Sequence, residues 1–100
     1  MNTTISMPEF EGFDWTGGNA KKNWLCHQVH PWESEQVFFN SPILIQEDKK
    51  HSIDEQRYFV LGKTDAGREL FIVFTIRENR IRVVSSRDMS VKERRIYRAL

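Results

Sequence analysis

Residues 70–87 read LFIVFTIRENRIRVVSSR. Leu70–Arg77 is a run of apolar and β-branched side chains, and Arg80–Arg87 opens with alternating basic and apolar ones; both are strand signatures. Glu78-Asn79 between them fits a two-residue hairpin loop, with Asn79 suited to left-handed backbone. Such a loop sets a register that puts Arg77 opposite Arg80, Thr75 opposite Arg82 and Val73 opposite Val84. Directly opposed side chains share a face, so one face carries these residues with Phe71 and Ser86. The other carries Leu70, Ile72, Phe74 and Ile76 with Ile81, Val83, Ser85 and Arg87. The second face is the better core, and the helices are expected to cover it.

Upstream, Asp65-Ala66-Gly67 is a turn, so Arg57–Thr64 is the preceding strand. If Thr64 pairs with Arg68, the register brings Arg57 opposite Thr75 and Glu55 near Arg77; a one-residue slip would swap the faces. Glu47–Glu55 is a charged, mobile connection. Pro42 keeps the chain out of helix, and a further strand covers residues 43–46. Asn19–His27 reads as a short helix with Ala20, Trp24 and His27 on one stripe. Pro31 at a first helical position, with Glu33 in the first turn, opens a second helix that runs to about Phe39 and stops at Asn40. Phe13-Asp14-Trp15 is a very short strand or an anchoring segment. Downstream, Ser90-Val91-Lys92-Glu93 is a capping box that starts a terminal helix reaching Leu100. The expected fold class is α+β: an antiparallel sheet of three to four strands, two N-terminal helices and one C-terminal helix. Residues 1–12 are expected to be a flexible leader and residues 13–100 a single domain.

A chain of 100 residues with a formal net charge of +1 carries no global field to draw in nucleic acid, so any such attraction is local. Its apolar runs are too short to cross a bilayer, and the N-terminus lacks the basic and apolar regions of a secretory signal. No membrane role and a cytoplasmic location are therefore expected. The lone Cys26 rules out an internal disulfide and fits a reducing compartment. Cys26, His27 and His30 invite a zinc site, but one cysteine is too few and Pro31 breaks the helical spacing. No glycine-rich phosphate loop is present. No metal and no cofactor are expected.

The register gathers Glu55, Arg57, Arg77, Arg80 and Arg82 at one end of one sheet face. Like charges opposed across a sheet destabilise it, and arginine offers phosphate a planar bidentate fork. Two readings stay open on pattern alone: an anion site, or an exposed edge protected by charge. Glu55 also fits a salt bridge to Arg57 or Arg77, Arg87 a partnership with helix carbonyls or Glu93, and Tyr97 a place closing the core with Ile96 and Leu100. Trp24, Trp32 and Phe38 fit helix packing better than base stacking.

Several segments together resemble a known family: FDW at 13–15, NWLCHQVHPWESEQVF at 23–38, DEQRYFVLGKTDAGRELFIVFTIR at 54–77 and IRVVSSRDMSVKERRIY at 81–97. In order and spacing they resemble the BrnT toxins of bacterial type II toxin–antitoxin systems, which look like distant relatives of the RelE ribonuclease fold. The resemblance implies a metal-independent endoribonuclease that arrests growth by cutting RNA. It also implies a BrnA-like ribbon–helix–helix antitoxin as partner, with operator DNA bound only through that antitoxin. His27, Glu55, Arg57, Gly62, Gly67, Arg68, Arg77, Arg82, Arg87, Glu93, Arg94 and Tyr97 sit where the family pattern places similar types. Three positions depart from it: Thr16 stands where many members have Asp, and Cys26-His27-Gln28 where many have Lys-His-Gly.

Metal-free RNA cleavage needs a base for the 2′-hydroxyl, an acid for the leaving 5′-oxygen and cations for the charge on phosphorus. The expected catalytic set is Glu55 as base, His27 as base or acid, and Arg57, Arg77 and Arg82 as phosphate clamps. Arg68, Arg80, Arg87, Arg94 and Tyr97 are the expected RNA-binding residues. The alternative is a non-catalytic domain that binds its partner or RNA and acts as a corepressor.

Overall fold

The computed structural model describes residues 4–52 and 54–100. Among them the chain forms β1 (Thr4–Ile5), β2 (Gly12–Phe13), α1 (Asn19–His27), α2 (Pro31–Val37), β3 (Leu44–Glu47), β4 (Tyr58–Lys63), β5 (Glu69–Arg77), β6 (Arg80–Asp88) and α3 (Val91–Arg98), with single 3₁₀ turns at Thr16–Gly18 and Lys49–His51. The strands make one sheet in the order β1-β3-β4-β5-β6-β2. Every pairing is antiparallel except that of β2 with β6. The class is α+β as expected, but the sheet has six strands and is mixed. The two extra strands are two residues each, too short to leave an alternating pattern in sequence.

The hairpin forms as its loop dictates. Glu78 and Asn79 take φ of 50° and 63°, the left-handed pair whose twist matches that of the flanking strands. Arg77 lies opposite Arg80, Thr75 opposite Arg82, and Phe74 opposite Val83. The expected pairing of Val73 with Val84 does not occur. Val84 forms a bulge opposite the Val73–Phe74 step, and Val73 faces Ser85 instead. One extra residue reverses the alternation beyond it. Ser86 therefore turns to the core side, where it is fully buried, and Arg87 turns to the arginine face opposite Phe71. This reverses the expected placement of both.

One sheet face packs under α1 and α2. Its core is Ile45, Val60, Leu70, Ile72, Phe74, Ile81 and Val83, closed by Val29, Val37 and Phe38. Gly62 allows α2 to approach closely: a Cβ there would come within 2.6 Å of a Val37 methyl. Pro31 opens α2, and the Glu33 carboxylate accepts the His30 amide at 3.0 Å. The opposite face is covered at one end by α3, where Tyr97 and Met89 pack on Leu61, Leu44 and Phe71. The Ser90–Glu93 capping box that starts α3 is fully formed.

The expected stripe of α1 is not what the helix buries. Asn23 is its buried residue, while Trp24 is 43% exposed and His27 is exposed. α1 lies along the outer edge of β6, where strand amides and carbonyls need polar partners. Asn19 Nδ2 donates to the Val83 carbonyl at 3.0 Å, and Asn23 Oδ1 accepts the Ser86 amide at 3.2 Å. Ser34 of α2 reaches the same place through a buried 2.7 Å hydrogen bond to Ser86 Oγ. Trp24 instead stacks on His30, which stacks on Trp32, with centroids 4.2 and 5.3 Å apart.

Much of the expected leader belongs to the folded structure. Ile5, Met7 and Phe10 pack against the main core, and the Glu11 amide donates to the Asn79 carbonyl. Residues 1–3 lie outside the described residues, as does residue 53 in the expected mobile connection. Within that connection the Asp48 amide donates to the Arg57 carbonyl and the Arg57 amide to Ser52 Oγ, each at 2.8 Å. Among the described residues no helix is long and apolar enough to cross a membrane.

Candidate functional site

The hairpin end of β5 and β6 and the segment before β4 bring four of the expected catalytic residues together. Continuing the β4–β5 register one step beyond Tyr58–Phe74 places Arg57 beside Thr75, whose other neighbour is Arg82. Glu55 accepts from Arg77 Nε at 2.5 Å. The result is a cleft of about 480 Å³ whose lining includes Glu55, Arg57, Thr75, Arg77 and Arg82, with Asn19, His51, Asp54 and Val84 around them. A second concavity, lined by Asp14, Thr16, Arg77, Glu78, Arg80 and Arg82, adjoins it through Arg77 and Arg82. Gly17, at φ 85°, makes room for this end: a Cβ there would lie 2.7 Å from an Arg82 Nη2.

Charge is distributed unevenly within the cleft. Arg77 is paired with Glu55, whereas among the described residues no carboxylate lies within ion-pair distance of Arg57, Arg80 or Arg82. The Arg77 hydrogen bond holds the Glu55 carboxyl below its ordinary range, opposed by partial burial. Asp14 is held low chiefly by hydrogen bonds from Thr16. Thr75 Oγ1, buried beside Glu55, makes no hydrogen bond of normal geometry. Guanidinium groups free of acid partners, a dipolar hydroxyl and an ionised carboxylate form a surface suited to an anion that also needs a proton acceptor.

His27 is not in this cleft. It ends α1 beside Asp88, at the far end of β6 from Arg82. The helix runs alongside β6 from Val83 toward Ser86 and so carries its C-terminus away from the arginines. The histidine that does line the cleft is His51, whose Nδ1 is 2.8 Å from Asp48 Oδ2. The sequence signal for His51 is its place in the same short connection as Glu55, three residues after an aspartate.

Most of the expected RNA-binding residues have partners within the chain. Arg68 forks onto Asp88 at 2.8 and 3.1 Å, reaches Glu33 at 3.1 Å and caps the carbonyls of His27 and Gln28. Those carboxylates push its pKa upward, against some burial. Arg87 grips Glu93 with both Nη atoms, at 2.8 and 2.9 Å, and lies 4.2 Å over the Phe71 ring. Arg94 and Arg98 share Glu69 at 3.8 and 2.7 Å. Tyr97 is 5% exposed, and its hydroxyl donates to the Pro42 carbonyl at 2.7 Å. Arg80 alone of that group is exposed at the rim of the arginine end.

The sequence model of a family described as the ribonuclease toxin, BrnT, of type II toxin-antitoxin systems matches residues 15–93. That span holds every residue placed above in the cleft except Asp14 of the adjoining concavity. No curated protein matches the chain.

Proposed function

We propose that this chain, which belongs to the BrnT family of ribonuclease toxins of type II toxin–antitoxin systems, cuts RNA without a metal in the cleft between Arg57, Arg77 and Arg82. The observation that supports this is the convergence of Arg57 and Arg82, with no carboxylate in ion-pair distance among the described residues, on the ionised Glu55 that Arg77 holds. In the proposed reaction Arg57 and Arg82 hold the two non-bridging phosphate oxygens and stabilise the added charge as phosphorus becomes five-coordinate. Glu55 takes the proton of the 2′-hydroxyl, whose oxygen attacks phosphorus. The bond to the 5′-oxygen breaks, and His51, oriented by Asp48, supplies that oxygen with a proton. The products are a 2′,3′-cyclic phosphate and a free 5′-hydroxyl. Arg77 positions Glu55 and keeps it ionised, at the expense of its basicity.

The family implies a protein antitoxin. We assign that partner, as a BrnA-like ribbon–helix–helix protein, to the mixed face where the arginine end runs into Phe59, Val73 and Val84. It would block the cleft in the cytoplasm and carry the complex to operator DNA. The relation to the RelE fold is part of the same reading. One observation favours a non-catalytic corepressor instead: a carboxylate clamped by arginine is a weak base. Purified RNA incubated with the free protein in EDTA separates the two. Cleavage with cyclic-phosphate ends, suppressed by the partner, is expected; RNA left intact by well-folded, partner-free protein would overturn the enzymatic reading.

A further inference from the structure

Beyond the arginine cleft, the same sheet face carries a second, smaller concavity of about 280 Å³ under the N-terminal turn of α3. Its floor is apolar and includes Leu44, Phe59, Leu61 and Phe71, and Gln46 and Glu93 are among the polar residues around it. Phe59 and Phe71 lie nearly parallel, with an interplanar angle of 28° and centroids 5.5 Å apart. Arg87 sits over Phe71 and is itself fixed by Glu93, so the ring pair is braced from one side. Phe59 and Phe71 are both only partly buried.

Phe59 on β4 is two residues from Arg57, which lies just before the strand; continuing the strand puts the two on one face about 7 Å apart. Val73 opposite Phe59 similarly precedes Thr75 by two. The arginine cleft and the aromatic floor are thus successive stations along one strand direction. A braced ring pair rimmed by the Ser90 hydroxyl and the Lys92 ammonium has the chemistry that receives a nucleobase: stacking on the face and hydrogen bonds to the edge. We infer that this concavity seats the base of a nucleotide adjoining the scissile phosphate, so that the substrate is single-stranded RNA with an unstacked base. The inference rests on the ribonuclease reading above and adds the recognition element to it.

The test uses short single-stranded RNAs in which one abasic nucleotide is moved stepwise across the cleavage site, with wild-type protein, F59L and F59W. One abasic position next to the cut is expected to raise KM about ten- to hundred-fold for wild type and F59W, the range set by loss of one stacked base. F59L keeps the apolar filling but not the stacking; it is expected to show the raised KM on intact RNA and no further abasic penalty, with kcat little changed. Wild-type cleavage that ignores every abasic position would overturn the base seat while leaving the ribonuclease reading intact. So would F59L that cuts normally but loses its protein partner, since the groove would then belong to that partner. Wild-type protein that cuts no RNA would overturn both.

Discussion

The two ends of the central hairpin use the same residue type in opposite ways. At the closed end, Arg57, Arg80 and Arg82 have no carboxylate in reach among the described residues, and only Arg77 is paired. At the open end, Arg68, Arg87, Arg94 and Arg98 are bound to Glu33, Asp88, Glu93 and Glu69. The arginines of the open end tie helices to the sheet: Arg68 links the α1–α2 junction to β6, and Arg87 and Arg98 link α3 to β6 and β5. Of those at the closed end only Arg77 makes a link, to Glu55 in the segment before β4. Exposure does not separate the groups, since Arg68 is only 27% exposed and Arg98 is 67% exposed. Local neutralisation does, and it marks which guanidinium groups remain available to an outside anion.

The strongest attempt to break this contrast is Arg82→Ala, with Arg57→Ala beside it. Each is expected to lower the RNA cleavage rate by about 10²–10³-fold, as loss of one oxyanion-stabilising donor does. Thermal melting should hold steady or rise slightly because repulsion among the clustered arginines is relieved. Glu55→Gln should cost about 10²-fold in cleavage, the scale of one proton-transfer residue. Because Arg77 depresses the Glu55 pKa, the wild-type base stays ionised below its ordinary 4.5, and the rate should not fall through loss of base until the pH drops below that value. The Gln variant should lack this acid limb.

Arg68→Ala tests the other end. It leaves Glu33 and Asp88 without their cation and is expected to destabilise the fold by about 2 kcal/mol, read from urea melts, while cleavage by the folded fraction is unchanged. Normal stability with lost cleavage would reverse the assignment of the two ends. Acid should also weaken the open end. Asp88, Glu69 and Glu93 are held below their ordinary values by hydrogen bonds from Arg68, Arg98 and Arg87. A depressed folded pKa contributes stability that is complete above the ordinary value and is lost as pH falls through the folded one. Melting temperature should therefore be flat above the ordinary 3.8 and 4.5 and drop below them, less steeply in Arg68→Ala. The smallest effect is at the junction that Arg68 caps. Gln28 takes φ 52° at the C-terminus of α1, and Gln28→Gly should raise stability by about 1 kcal/mol.

Sequence held the closed end better than the open one because its geometry is local. A two-residue loop and a short turn are enough to bring Glu55, Arg57, Arg77 and Arg82 to one place, and the capping box at Ser90 is written in contiguous residues. His27 was misplaced because its position depends on which way α1 lies along β6, and that is set by Asn19 and Asn23 meeting strand backbone some 60 residues away. Polar side chains that seal a strand edge leave no hydrophobic signature, so the helix seemed to bury Trp24. The bulge beyond Phe74 left no mark either, since Val83-Val84-Ser85-Ser86 holds no glycine to announce it.

That bulge puts Arg82 and Arg87 on one surface although five positions separate them, a spacing that strict alternation would send to opposite sides. It works as a phase boundary within a single strand. Removing Val84 would make Val83 and Ser85 consecutive, still opposite Phe74 and Val73, so both halves of β6 would keep their faces and only the bulge would be lost. The two halves of the strand can therefore vary under separate constraints, one answering to chemistry and the other to architecture.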